Sequence, residues 1–276
     1  MTEPNRRFVL VILDGAADQL RIEGRSPLAI AHTPYLDAIA RDGCTGVMTT
    51  LYPDLPRESL VALLGMLGWD PTIYYPGGRA SSELAVLDSV RLRAGDVVFR
   101  ANLVRLAGGT LESYSAHLID DRLAARLVRG LDAALRSEFP GFELHHVNDY
   151  RTLLLVRGAY VAPRHVHCDE PHDHEGTAID IGHAVHAVDP DAREFAARVN
   201  DYIVRAAELL APEAANALLP WGLSTALHLP RFSQVSGIEG PSSIVGAMAF
   251  LSGIASAGSI EFVQVGNGRP DSDVGA

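Results

Sequence analysis

The first apolar run, Phe8-Val9-Leu10-Val11-Ile12-Leu13, has no polar interruption and is rich in β-branched residues. That pattern predicts a strand buried on both faces, as in a parallel sheet, with Asp14-Gly15 at its carboxyl end. In open α/β sheets functional groups gather at that end of the strands. Thr33-Pro34, followed by Leu36, Ile39 and Ala40, predicts a helix capped by Thr33 and stopped by Gly43. Gly46 to Leu51 predicts a short strand. Pro56-Arg57-Glu58-Ser59 is a turn opening an apolar helix from Leu60 to Leu67, with Ser59 at its N-terminus and Gly68-Trp69-Asp70-Pro71 at its end.

From about Val90 the periodicity changes. Val97 to Phe99, Phe142 to His145 and Thr152 to Val156 predict strands. Leu123 to Leu135, Ala192 to Leu210 and Ser242 to Leu251 predict helices, and Ile260 to Val265 predicts a last strand running into Gly266. No internal repeat interrupts this order.

Composition narrows the function classes. The chain has 276 residues, 47% hydrophobic and 21% charged, enough for a sizeable core. A net charge of −11 argues against non-specific binding to nucleic acid or to an acidic membrane surface. All 23 basic residues are arginines, so no ammonium serves Schiff-base or P-loop chemistry. Cys44 and Cys168 make no disulfide framework. The run after Arg6-Arg7 is too short for a signal or membrane span, so a cytoplasmic protein is expected.

Several segments, in order, resemble the archaeal-type cofactor-independent phosphoglycerate mutases of the alkaline phosphatase superfamily. They are the strand with Asp14-Gly15, Thr33-Pro34-Tyr35-Leu36-Asp37, and Gly68-Trp69-Asp70-Pro71 with Tyr74-Tyr75. Gly78-Arg79 with Glu83, Gly95 to Asn102, Glu170-Pro171-His172, and Gly266-Asn267-Gly268 with Asp271-Ser272-Asp273 follow. The resemblance implies an α/β fold: a partial alkaline-phosphatase-like sheet with helices, interrupted by an α+β insertion domain. Residues 1–88 and 241–276 would belong to the core and 89–240 to the insertion.

The same resemblance implies phosphoryl transfer through a serine. Ser59 would be the nucleophile, and Asp14 and Ser59 would bind divalent metal ions (Mn, Zn or Mg) that activate it. Arg79, Arg100, Asn102, Arg151 and His172 would contact a small anionic substrate, phosphorylated or phosphonate. Read without the resemblance, Asp14 is a strand-end turn residue, Ser59 a helix cap and each arginine a surface ion pair.

Departures from the family pattern are as informative. Glu58 and Leu60 flank Ser59 where the family has Gly and Asp. Glu112 to His117 replaces an arginine-rich segment. Trp221 stands at an arginine position and Ser252 at a lysine position. The family's remaining ligands, two aspartates and three histidines, have no counterpart here. One carboxylate and one serine cannot hold two ions, so the ligands are expected from outside this chain. A protein partner supplying the C-terminal half, or a homo-oligomer, would provide them. An alternative metal site is offered by His165, His167, Cys168 and His174, which are dense in ligand types but lack a recognised metal spacing. A third possibility is a binding or regulatory subunit with a decayed site.

Overall fold

β1 (Val97–Ala107) is buried along eight consecutive residues, so both of its faces are covered. The computed structural model describes residues 7–13, 15–16, 24–84, 87 and 90–266. Side chains alternate across a strand. Val97, Phe99, Ala101 and Leu103 therefore share one face of β1, while Val98, Arg100, Asn102 and Val104 share the other.

All strand pairs of the main sheet are antiparallel, in the order β3-β4-β1-β7. Its members are β3 (Phe142–Asn148), β4 (Arg151–Val156) and β7 (Ala217–Ser224) beside β1. β2 (Thr110–Ser113) folds back on the end of β1. The Asn216 side chain prolongs the pairing, exchanging two hydrogen bonds with the Leu106 backbone at 2.7 and 2.8 Å.

The Phe99 face carries two long helices, α6 (Asp121–Leu135) and α7 (Arg193–Leu210). α6 starts where the Asp120 carboxylate accepts from the Arg122 and Leu123 amides. It buries Ala124, Leu127, Val128, Leu131 and Leu135, a stripe at helical spacing. α7 buries Ala196, Val199, Ile203, Ala206 and Leu210 in the same way. Each large aliphatic side chain so covered contributes about 1.5–3 kcal/mol. Tyr202 stacks on Phe142 and meets Phe139 edge-on, both at 5.1 Å.

The opposite face meets α5 (Ala80–Leu84), through Ala80, Leu84, Val98, Leu153 and Leu155. α5 in turn lies against α9 (Ala249–Gly258). At their crossing a Cβ on Gly253 would stand 2.3 Å from the Ser82 carbonyl oxygen, so only glycine permits the approach. α9 links the parallel strands β8 (Ser243–Gly246) and β9 (Glu261–Gln264). It also joins α3 (Ser59–Met66) around Trp69, whose indole donates to the Pro230 carbonyl at 3.0 Å. α4 (Pro71–Tyr74) and α8 (Phe232–Ser236) complete this part, whereas the β5–β6 pair (Val166–Cys168, Val185–Ala187) packs on the main core beside α7, where Asn200 exchanges two hydrogen bonds with the Val185 backbone.

The chain divides into two units, residues 1–49 and 50–276. In the first, α2 (Pro34–Asp42) forms where Thr33-Pro34 predicts it, and α1 (Pro27–Ile30), outside the expected helices, is a single turn capped by the Ser26 side chain. None of its described residues is buried.

Three expectations need correction. Phe8 to Leu13 is not a buried strand: Phe8 is 71% and Val9 84% exposed, and the run has no ladder partner. Hydrophobic content alone does not make a strand, because the ladder needs a neighbouring segment, and none of the described residues offers one. Gly46 to Leu51 is unpaired for the same reason. Ser242 to Leu251 is not one helix. Its β-branched residues Ile244 and Val245 pair with β9, and the helix begins only at Ala249. No described helix is long and apolar enough to cross a membrane.

Arg157 joins three strand ends. It is held by both Glu143 oxygens at 2.7 and 3.0 Å and by Asp96 at 2.7 Å. Burial alone would raise the Asp96 pKa, but the Arg93 and Gly158 amides and the Arg157 guanidinium outweigh it and hold it below its usual value. Arg157 likewise holds Glu143 down. Because both folded-state values are depressed, their stabilisation is present above about pH 4 and is lost as pH falls through the lowered values. Arg157→Met is expected to lower unfolding free energy by about 2–4 kcal/mol near neutral pH. Urea unfolding should show that difference shrinking as the solution is acidified.

Candidate active-site cleft

The Arg100 face of β1 opens onto a cleft of about 400 Å³. Its walls carry Arg79 and Arg100, with Glu58, Asp169, Glu170 and Asp173 beside them. Gly78 and Gly222 bring the backbone close: a Cβ on Gly78 would stand 2.5 Å from the Gly222 carbonyl oxygen. A smaller cavity of about 140 Å³, lined by Arg93 to Val97, Tyr160 and His228, contains none of the expected site residues.

Arg100 is only 7% exposed. Its Nε donates to Glu83 Oε2 at 3.0 Å, and its guanidinium lies 4.0 Å above the Trp221 ring. Cross-strand pairing puts Trp221 there, since Arg100 and Trp221 are register partners. Burial lowers the Arg100 pKa and the Glu83 carboxylate opposes that. A guanidinium keeps its charge even so. Arg79 Nε faces the other Glu83 oxygen at 3.5 Å. One buried carboxylate thus serves two guanidiniums, and one positive charge is left over. Arg100 Nη1 is buried without a hydrogen-bond partner.

Asn102 does not line the cleft. It accepts from Trp221 Nε1 at 3.0 Å and donates to the Tyr114 carbonyl at 3.1 Å, which fixes the indole over Arg100. His172 meets the Trp221 ring edge-on at 5.5 Å, with Nε2 3.2 Å from Glu170. Arg151 pairs with Asn102 across β4, but its guanidinium lies over Tyr150 at 4.5 Å and faces Asp149 at 3.6 Å. It stays outside the cleft wall. Arg79, Arg100, Asn102 and His172 are therefore gathered around Trp221 and Glu83, and Arg151 stands apart.

Ser59 is the first residue of α3 and is half-buried. It lies at the end of the helix where free amides and the dipole favour an anion. Asp14 lies outside the described residues, as do Asn267 to Asp273. Glu58 is the N-cap residue, yet its side chain makes no cap bond. Its carboxylate lines the cleft instead, and Oε1 is buried without a partner. Burial pushes the Glu58 pKa up, against the pull of the Tyr75 hydroxyl and Arg79, and Glu170 adds to the rise. Burial and then Glu58 push the Tyr75 phenol up as well.

Of the four alternative metal ligands, His167, Cys168 and His174 line the cleft, but no three of the four bring donor atoms within mutual reach. His167 bonds Asp169 at 3.0 Å and faces His186 across β5–β6. Cys168 packs against the main core, and burial pushes its thiol up to about 12, so it remains protonated. His165 offers its backbone oxygen to Val188, and His174 Nε2 stands 3.8 Å from Asp169. Among the described residues the one cluster of three donors within mutual reach is Glu170, His172 and Asp173, all exposed.

At the end of the Glu112–His117 segment, which replaces the family's arginine-rich stretch, Ala116, His117 and Leu118 adopt consecutive left-handed conformations, with φ of 48°, 57° and 56°. Each costs about 1–2 kcal/mol for a residue with a Cβ. The turn is held by the Ser113 hydroxyl, which accepts from the His117 amide at 2.9 Å, and by Ser115, which accepts from Leu118 at 3.3 Å.

The family model for 2,3-bisphosphoglycerate-independent phosphoglycerate mutase matches residues 40–216. The chain belongs to this family. The mutase of that name from Methanothrix thermoacetophila is 29% identical over 258 residues, covering 90% of this chain and 62% of its own length. That from Methanosarcina acetivorans is 30% identical, covering 94% of this chain and 65% of its own. The chain thus spans less than two thirds of these mutases. The cofactor-independent phosphoglycerate mutase of Thermoplasma acidophilum superposes with a TM-score of 0.53 at 22% identity, over 91% of this chain and 67% of that one. A Pyrococcus horikoshii protein superposes with a TM-score of 0.62 at 20% identity, over 91% and 59%. At such identity they show the shared mixed α/β fold.

The Arg79–Glu83 pairing was legible from its i, i+4 spacing. The turn of Glu58 into the cleft had no local signal, because it depends on where β7 and the 163–174 segment run. As its folded pKa is raised, Glu58 binds its proton more tightly in the folded protein, and stability is lost as pH rises through that value. Glu58→Gln is expected to be more stable than the parent above pH 4.5, by a margin that widens toward neutrality. Thermal unfolding of both proteins across that range tests it, and a margin independent of pH would contradict the assignment.

Proposed function

We propose that this chain is the phosphoglycerate-mutase-like part of a metal-dependent enzyme. It would process a phosphoryl or phosphonate group on a small carboxylate-bearing anion. The carrying observation is the Arg79–Arg100 pair, which lines the cleft, shares one carboxylate and keeps Arg100 Nη1 buried without a hydrogen-bond partner. Such a donor suits a phosphate or carboxylate oxygen. Ser59 would accept the phosphoryl group at the α3 N-terminus.

Among the described residues the one cluster of three carboxylate, imidazole or thiol donors is Glu170, His172 and Asp173. Asp14 and ligands from polypeptide outside this sequence would hold the ions (Mn, Zn or Mg), which would lower the pKa of the serine hydroxyl. In this reading a second chain carrying the remaining aspartates and histidines would supply those ligands. Residues 89–240 would cap the site.

A binding or regulatory role is the second reading, favoured by the Trp221 indole that covers Arg100. Purification from the native host, with metal analysis and a phosphoryl-transfer assay on the resulting complex, separates the two. The enzyme reading expects a co-purifying chain, bound divalent metal that is lost in Asp14→Ala, and a fall in turnover of about 100-fold or more in Ser59→Ala. Activity unchanged in both variants would sink it. Ligand binding without turnover would establish the regulatory role.

A further inference from the structure

Two residues that line the cleft each have one buried side-chain atom without a hydrogen-bond partner, and the two atoms are of opposite kinds. Arg100 Nη1 is a charged donor, and Glu58 Oε1 is a carboxyl oxygen. Both residues line the same space, with Arg79 beside one and Glu170 acting on the other. Two guanidiniums thus face four carboxylates, those of Glu58, Asp169, Glu170 and Asp173. Glu83 already balances one of the guanidiniums from behind. His167 lies 3.0 Å from Asp169 and His172 lies beside Glu170 and Asp173, whereas Glu58 Oε1 has no hydrogen-bond donor, and the only cations acting on Glu58 are the two arginines. A ligand that is anionic throughout would satisfy Arg100 and confront Glu58. A neutral or cationic ligand would do the reverse.

We infer that the cleft takes a zwitterion. Its phosphate, phosphonate or carboxylate group would lie on Arg100 and Arg79, and its ammonium group against Glu58 and Glu170. The inference rests on the anion-binding reading of the two arginines given above, and adds the ammonium. An ammonium donates to several carboxylate oxygens at once, and a hydroxyl in its place carries no charge to meet them. The cleft then discriminates against phosphoglycerate in favour of its aminated counterpart.

Calorimetric titration of the full chain tests this with racemic O-phosphoserine and racemic 3-phosphoglycerate, which differ only in an ammonium for a hydroxyl. With EDTA present, phosphoserine is expected to bind about tenfold or more tightly, the scale of one charge-assisted hydrogen bond. Glu58→Gln should abolish that preference. Arg79→Gln, at a partly exposed position, should weaken both ligands alike; Arg100→Gln should do so more strongly, provided its unfolding transition shows that it still folds. Equal binding, or tighter binding of phosphoglycerate, overturns the zwitterion while the anion cleft stands if Arg79→Gln weakens it. No binding of either ligand removes both readings. Phosphoglycerate binding that appears only with Mn²⁺ and vanishes in Glu170→Gln would make the missing cation a metal, and would also overturn the proposal.

Discussion

Glu83 accepts from Arg100 at 3.0 Å and faces Arg79 at 3.5 Å, with its side chain 9% exposed. Removing a carboxylate from water is costly, and here two guanidiniums offset that cost. The arrangement requires α5 to sit on the Arg100 face of β1, because Glu83 rides on that helix. It also requires α9 to lie where Gly253 lets it approach Ser82. The carboxylate therefore links the antiparallel sheet to the β8–α9–β9 layer. Removing it would leave Arg100 buried and uncompensated, a loss of about 3–5 kcal/mol, and would free Arg79 from the cleft wall.

The local order of the site follows from β-sheet periodicity. Arg100 and Asn102 are two residues apart, so they share a face, and register places Trp221 opposite the first. Asn102 then acts on the cleft without touching it, by holding the indole that covers the guanidinium. The position where an arginine was expected carries an aromatic face. A cation on an aromatic face gains about 0.5–2 kcal/mol. This exchange removes a positive charge from the cleft and makes the rest of its acidic lining count for more.

Much of the larger unit was legible in advance. The strands over 97–99, 142–145 and 152–156 and the helices over 123–135 and 192–210 carry periodicity that their packing confirms. Ser59 begins its helix as its turn sequence indicates. What was not legible depends on neighbours. Phe8 to Leu13 reads as a buried strand because its composition suits one, but a strand is a relation between segments. Ser243 to Gly246 has apolar residues compatible with either state, and its parallel partner in β9 decides. The histidine-rich segment looked like a ligand set by composition. Alternation along β5 turns Cys168 inward and His167 outward, so the two form no three-donor cluster although both line the cleft.

Glu58 ties these strands of reasoning to the chemistry of Ser59. A carboxylate at a helix start normally gains from the dipole and caps the first turn. Here it forgoes the cap and enters the cleft, where burial raises its pKa. If ionised, it would repel any phosphate brought to the neighbouring serine. If protonated, or if neutralised by a cation on the ligand, it becomes a donor or a counter-charge for that ligand. A trianion in this cleft would meet a carboxylate that lines it and has one oxygen buried without a partner. The retained arginines and the added glutamate are reconciled by a ligand that brings its own positive charge.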